Sequence, residues 1–90
     1  MKLLIIFEII KFMEYNLAFK KYIRSLSSRE RIAKLRDIRQ GLNKSPSVVL
    51  NWRLGRTELN KSCFDKISEI VGVDLNKYVD NWLNYNEYGT

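Results

Sequence analysis

Apolar positions recur at helical spacing from residue 14 to residue 86, and nowhere in that stretch do they alternate as in a strand. Leu17, Tyr22 or Ile23, and Leu26 predict a first helix over about 14–26. Ser27 and Glu30 form an S-x-x-E capping box, in which each side chain serves the other's backbone N–H. It opens a second helix over about 29–42, with Ile32, Leu35, Ile38 and Leu42 on one face. Gly41 near its end weakens that helix by about 1 kcal/mol relative to Ala. Asn43-Lys44 makes a turn, since Asn tolerates positive φ better than most residues. Ser45 can then cap a third helix over about 46–54, and Pro46 fits its first position, where a missing N–H costs nothing. Val49 and Trp52 face inward, and Gly55 supplies a left-handed C-terminal cap. A fourth helix over about 60–71 buries Cys63 or Phe64, Ile67, Ile70 and Val71, and ends at Gly72. Asp74 can cap a fifth over about 75–86, where Leu75, Tyr78, Val79, Trp82 and Leu83 make a broad apolar stripe.

Residues 1–13, MKLLIIFEIIKFM, stand apart as an apolar extension to a domain spanning 14–88. The uninterrupted apolar run is five residues, too short for a signal-peptide core or a membrane span. Lys2 and Lys11 give little basic support for attachment to a membrane surface. Three readings stay open. The segment can be a helix with Leu3, Ile6, Phe7 and Ile10 in a stripe, or an Ile-rich strand. It can also be non-native sequence ahead of a start at Met13, given the chain's wealth of Ile, Lys and Asn. On the third reading, deleting residues 1–12 leaves thermal stability nearly unchanged. A loss above about 2 kcal/mol in a melting experiment would mark the stripe as buried, because each such side chain contributes about 1.5–3 kcal/mol in a core.

Composition narrows the chemistry. Ninety residues with 46% hydrophobic side chains make one domain with a small core. With no His and one Cys, a zinc site or an internal disulfide is excluded by counting. Cys63 reads as a small core residue, and its lack of partners suits a reducing, cytoplasmic location. The net charge of +6 is concentrated: residues 20–56 hold eleven Lys and Arg against Glu30 and Asp37. A basic block confined to one motif is the electrostatic footprint of a polyanion partner. Catalysis has little to work with. There is no His, no paired carboxylate arrangement and no Gly-rich phosphate loop, so neither an enzyme nor a cofactor site is expected.

A helix, a short turn and a second helix with two large apolar anchors is the helix-turn-helix arrangement. LNKSPSVVLNWRLGR, residues 42–56, resembles the turn and recognition helix of the Cro and phage-repressor (XRE-like) family. Asn43 takes the place of that family's turn Gly, Ser45 its Ser, Val49 and Trp52 its buried positions, and Gly55 its closing Gly. CFDKISEIVGVDLNKYV, residues 63–79, resembles the next helix, its Leu-Gly-Val turn and the start of the fifth helix. Together the segments cover roughly residues 16–80. The resemblance implies an all-α, five-helix lambda-repressor-like DNA-binding domain. Three positions depart from the pattern. Asn43 and Lys44 replace Gly and an apolar residue, and Arg39 stands where a small Ala usually faces the recognition helix. A long Arg must reach outward there, which implies a wider angle between the two helices.

What the resemblance implies about the site follows residue by residue. The third helix enters the major groove of duplex DNA, and Ser45, Pro46, Ser47, Val48 and Asn51 meet base edges. Asn51 is suited to adenine N6/N7 and Val48 to a thymine methyl, while Ser45 can equally serve as a cap alone. Lys44, Arg53 and Arg56, with Arg36 more weakly, meet phosphates. A homodimer is the usual means of gaining affinity, and Tyr78, Trp82, Leu83 and Tyr85 are the candidate dimer contact. The same face can instead close the monomer core. The expected function is transcriptional regulation. The alternative is a protein-interaction module on the same fold, such as an antitoxin or a phage accessory protein, with a protein partner on the apolar N-terminus and the aromatic fifth helix.

Overall fold

The computed structural model describes the backbone of residues 2–79 and the side chains of residues 14–79. The fold is all-α. The described residues form four α-helices, α1 (Lys2–Ser25), α2 (Ser28–Leu42), α3 (Pro46–Leu54) and α4 (Lys61–Val71), followed by a 3-10 turn, Leu75–Tyr78. No helix among them is long and apolar enough to cross a membrane.

Local signals set most of the boundaries. Ser27 Oγ accepts from the Glu30 N–H at 3.2 Å, and Glu30 Oε1 accepts from the Ser27 N–H at 3.4 Å, so the capping box closes from both sides. Asn43 adopts the left-handed conformation at φ 53°, and the following Lys44 N–H donates to the Arg39 carbonyl at 2.9 Å. Asn43→Gly is therefore expected to raise stability by a few tenths of a kcal/mol to about 1 kcal/mol, because it removes the steric penalty of a Cβ at positive φ. Asn43→Val should lower it by about 1–3 kcal/mol, since a β-branched residue fits that region worst. Paired denaturant titrations check both signs.

At the amino-terminal side α1 runs unbroken from Lys2, so the backbone of residues 2–13 is helical, one of the three open readings, and is continuous with the helix expected from residue 14. Within α1 the buried face carries Asn16, Ala18, Phe19, Tyr22 and Ile23, while Leu17 is 41% exposed on the other side. On α2, Ile38 is fully buried but Ile32 is 69% exposed. The reason is where α2 finds its neighbour. It packs chiefly on α4, and its Gly41, towards the carboxyl end, lies against Ile70. A Cβ at position 41 would stand 2.6 Å from Ile70 Cδ1, so the Gly that weakens the isolated helix leaves room for the Ile70 side chain in its present position.

The core sits where α1, α4 and the carboxyl half of α2 meet, and its largest fully buried side chains include Phe19, Ile23, Ile38, Phe64 and Ile67. Tyr15 rests on Phe64 with ring centroids 4.8 Å apart. Cys63 is half-buried at the edge of this cluster. The Leu75–Tyr78 turn closes the bottom against α1, with Leu75 fully buried. Asp74 caps this turn through the Asn76 N–H at 3.0 Å. The expected fifth helix is a 3-10 turn as far as Tyr78, and the rest of its span, from residue 80, lies outside the described residues.

Candidate nucleic-acid interface

The α2–turn–α3 unit is built by short-range bonds and held in place by one buried side chain from α1. Ser45 is extended and its Oγ accepts from the Val48 N–H at 3.4 Å, with Pro46 in the first helical position. Gly55 at φ 72° ends α3, and the Arg56 N–H returns to the Asn51 carbonyl at 2.9 Å. Val49 and Trp52 are buried against the core, 2% and 5% exposed. Asn16 then ties down the far end. Its Nδ2 donates to the Trp52 and Thr57 carbonyls at 2.9 and 2.8 Å, and its Oδ1 accepts from the Leu59 N–H at 3.1 Å. One backbone group in the last turn of α3 and two of the α3–α4 connection are thus satisfied by one amide that is itself buried.

With the inner face anchored this way, Ser45, Pro46 and Ser47 stand exposed at the amino-terminal end of α3, beside exposed Lys44. Val48 and Asn51 are half-buried, and Val48 packs against the core, so less of each is open than of Ser47. Arg56 is exposed just past Gly55, and Arg53 is half-exposed on α3. Arg36 is exposed on α2, with Nε 3.9 Å from Asp37, too long for a strong pair. None of the eleven Lys and Arg side chains between residues 20 and 56 is buried. One of the two carboxylates in that stretch, Glu30, is occupied by its capping box.

The leucines of this surface are absent from the residues expected at the site. Leu50 and Leu54, one turn apart on α3, are 46% and 52% exposed. Leu50 lies between two clefts. One, of about 210 Å³, runs between α2 and α3 and includes Leu35, Arg39, Pro46 and Val49 in its walls. The other, of about 270 Å³, opens between α1 and α3 beside Lys20, Arg24 and Leu54. Arg53 borders both. Arg39 lines the α2–α3 cleft at the place where the resemblance puts a small Ala. A signal for the leucines is present in the spacing, since residues 50 and 54 fall away from the Val49–Trp52 anchors on any helical projection.

Of the residues expected at a dimer contact, Tyr78 is half-buried and meets Tyr22 edge-on, with centroids 5.8 Å apart, inside the same chain. That contact covers its ring against α1. Trp82, Leu83 and Tyr85 lie outside the described residues. Burial pushes the Tyr22 hydroxyl above its ordinary pKa, with Tyr78 and Glu30 adding to the effect. Among the described residues no group of three His, Cys, Asp or Glu side chains is placed to hold a metal ion. Comparison with protein-family models, with curated proteins and with solved structures found no match to this chain.

Proposed function

We propose that this chain binds duplex DNA as a small transcriptional regulator, with α3 lying in the major groove. The observation that carries this reading is a helix–turn–helix coincident with the basic block. Its second helix is anchored inward by Val49 and Trp52 and leaves Ser45, Pro46 and Ser47 open at its amino-terminal end. Lys44 precedes that end, Arg56 follows the other end of α3 and Arg36 stands on α2, all exposed cations for phosphates, which orient a protein on the duplex without reading its sequence. Ser47 and the open part of Asn51 meet base edges, and Ser45 combines its cap with a backbone contact. The complete domain is of the five-helix, lambda-repressor-like type, and a homodimer places two such helices on successive half-sites.

Selection of bound sequences from random duplexes tests the proposal, and a palindromic consensus is expected. No enrichment over the starting pool would count against it. Two substitutions separate reading from attraction. Asn51→Ala should cost about 1–3 kcal/mol on the preferred sequence and little on random DNA. Arg56→Ala should weaken both alike and lower the slope of log K against log salt by about one unit, because one phosphate contact and its released counterion are lost. Titrations of both variants at several salt concentrations distinguish the two behaviours.

A further inference from the structure

We infer that the trough along α3 is a docking site for an acidic amphipathic helix of a partner protein. This goes beyond the DNA reading and rests on a different observation. The trough consists of two clefts on either side of Leu50, and Leu50 and Arg53 line both of them. The α2–α3 cleft is mainly apolar, with Leu35, Val49 and Leu50 in its walls, while the α1–α3 cleft combines Leu50 and Leu54 with a largely polar, cationic lining. Four cations, Lys20, Arg24, Arg39 and Arg53, stand along the trough, and among the described residues no carboxylate lines it. Among the described residues none of these four has an ion-pair partner.

Chemistry selects the occupant. A duplex offers phosphates to the cations but almost nothing apolar to two leucines about half exposed, since the thymine methyl is the main apolar group in the major groove. A helix with large apolar residues at i and i+4 presents two knobs one turn apart, one for the cleft on each side of Leu50. Carboxylates flanking those knobs meet the four cations, and complementary charge raises both association rate and selectivity. Arg53 and α3 belong to both surfaces, so helix docking and DNA binding are mutually exclusive. An acidic helical partner therefore releases the chain from DNA.

The test uses the full chain and a fluorescent peptide of about 16 residues, four helical turns, with Leu at i, i+4 and i+7 and Glu elsewhere on the flanks. A scrambled peptide of identical composition, a random duplex and anionic phosphatidylglycerol vesicles are titrated in parallel. The patterned peptide is expected to bind at least about tenfold more tightly than the scrambled one, an amount that requires shape as well as charge. The double variant Leu50→Gln/Leu54→Gln keeps every charge and changes only exposed side chains. It should lose about tenfold in peptide affinity while random-duplex affinity stays within about twofold. Unchanged circular dichroism and melting temperature establish that it folds. An independent variant, Arg24→Gln, should weaken the peptide and leave the melting temperature alone. Equal binding of patterned and scrambled peptides overturns the proposal, as does indifference of the patterned peptide to the leucine variant. Loss of vesicle binding but not peptide binding in that variant also overturns it, in favour of a lipid surface. The absence of peptide binding up to about 100 µM does so as well. Loss of random-duplex affinity in the same leucine variant would show that the trough is part of the DNA surface. Failure of the unaltered chain to bind any duplex would remove the DNA reading and leave this one standing.

Discussion

Replacing Asn16 with Leu should lower the unfolding free energy by about 2–4 kcal/mol, although it puts a larger apolar residue into an apolar core. The side chain is 4% exposed and serves three backbone groups across more than thirty-five residues of sequence. Leu cannot replace any of those bonds. The Trp52 carbonyl keeps one other donor, the Gly55 N–H at 3.2 Å, but the N–H of fully buried Leu59 is orphaned. An unsatisfied buried donor costs its full desolvation, which is why the loss exceeds that of an ordinary hydrogen bond. For a domain of this size the melting temperature should fall by roughly 10–25 °C. Asn16→Asp adds a sign that a merely steric account lacks. The new carboxylate faces two carbonyl oxygens with no proton to give, so its folded-state pKa rises above the unfolded value. Stability is then greatest at low pH, where the acid donates, and is lost as pH rises through the folded pKa. Melting temperatures across about pH 4 to 7 should fall for this variant relative to the unaltered chain, and a rise instead would remove the assigned hydrogen-bond pattern.

Trp52→Ala should cost about 3–5 kcal/mol, the range for truncating a buried aromatic side chain. The indole is 5% exposed and fastens α3 to the core, while the backbone carbonyl of the same residue holds Asn16. Native stability for small domains is about 5–15 kcal/mol, so this one change consumes a large share of it. Near-ultraviolet circular dichroism and a thermal melt give the direct measurement. Leu50→Ala, two positions earlier on the same helix, removes an exposed side chain and should shift stability by no more than about 0.5 kcal/mol. The contrast between the two substitutions reads the orientation of α3 without any ligand. A larger cost for Leu50→Ala than for Trp52→Ala would mean that α3 is turned the other way, with its open face on the opposite side.

Caps make the middle of this chain legible from its residues. Ser27 with Glu30, Asn43, Ser45 with Pro46, Gly55 and Gly72 act on backbone groups within a few residues, so their effect is written in local sequence. The expected spans of α2, α3 and α4 accordingly agree with the structure to within a residue. Burial is less legible. On α1 Leu17 helps mark the helix but lies across it from Leu26, whereas Phe19, Tyr22, Ile23 and Leu26 share one side. That side is the one the packed helices cover, and Leu17 is left 41% exposed. Asn16 carries no local sign of its role, because its three partners are brought to it by the fold.

Residue order is enough to place the starts and stops of α2, α3 and α4, the all-α class, and the coincidence of positive charge with the α2–turn–α3 unit. Propensity, capping and charge are properties of neighbouring residues. Which face of each helix points inward is settled by packing. Packing also turns Gly41 from a weak point in a helix into the site of contact with Ile70, and it sets Leu50 and Leu54 beside two clefts bordered by Lys20, Arg24, Arg39 and Arg53. Those outcomes depend on groups distant in sequence meeting in space, and a helical repeat tells which residues share a face but not what that face will meet.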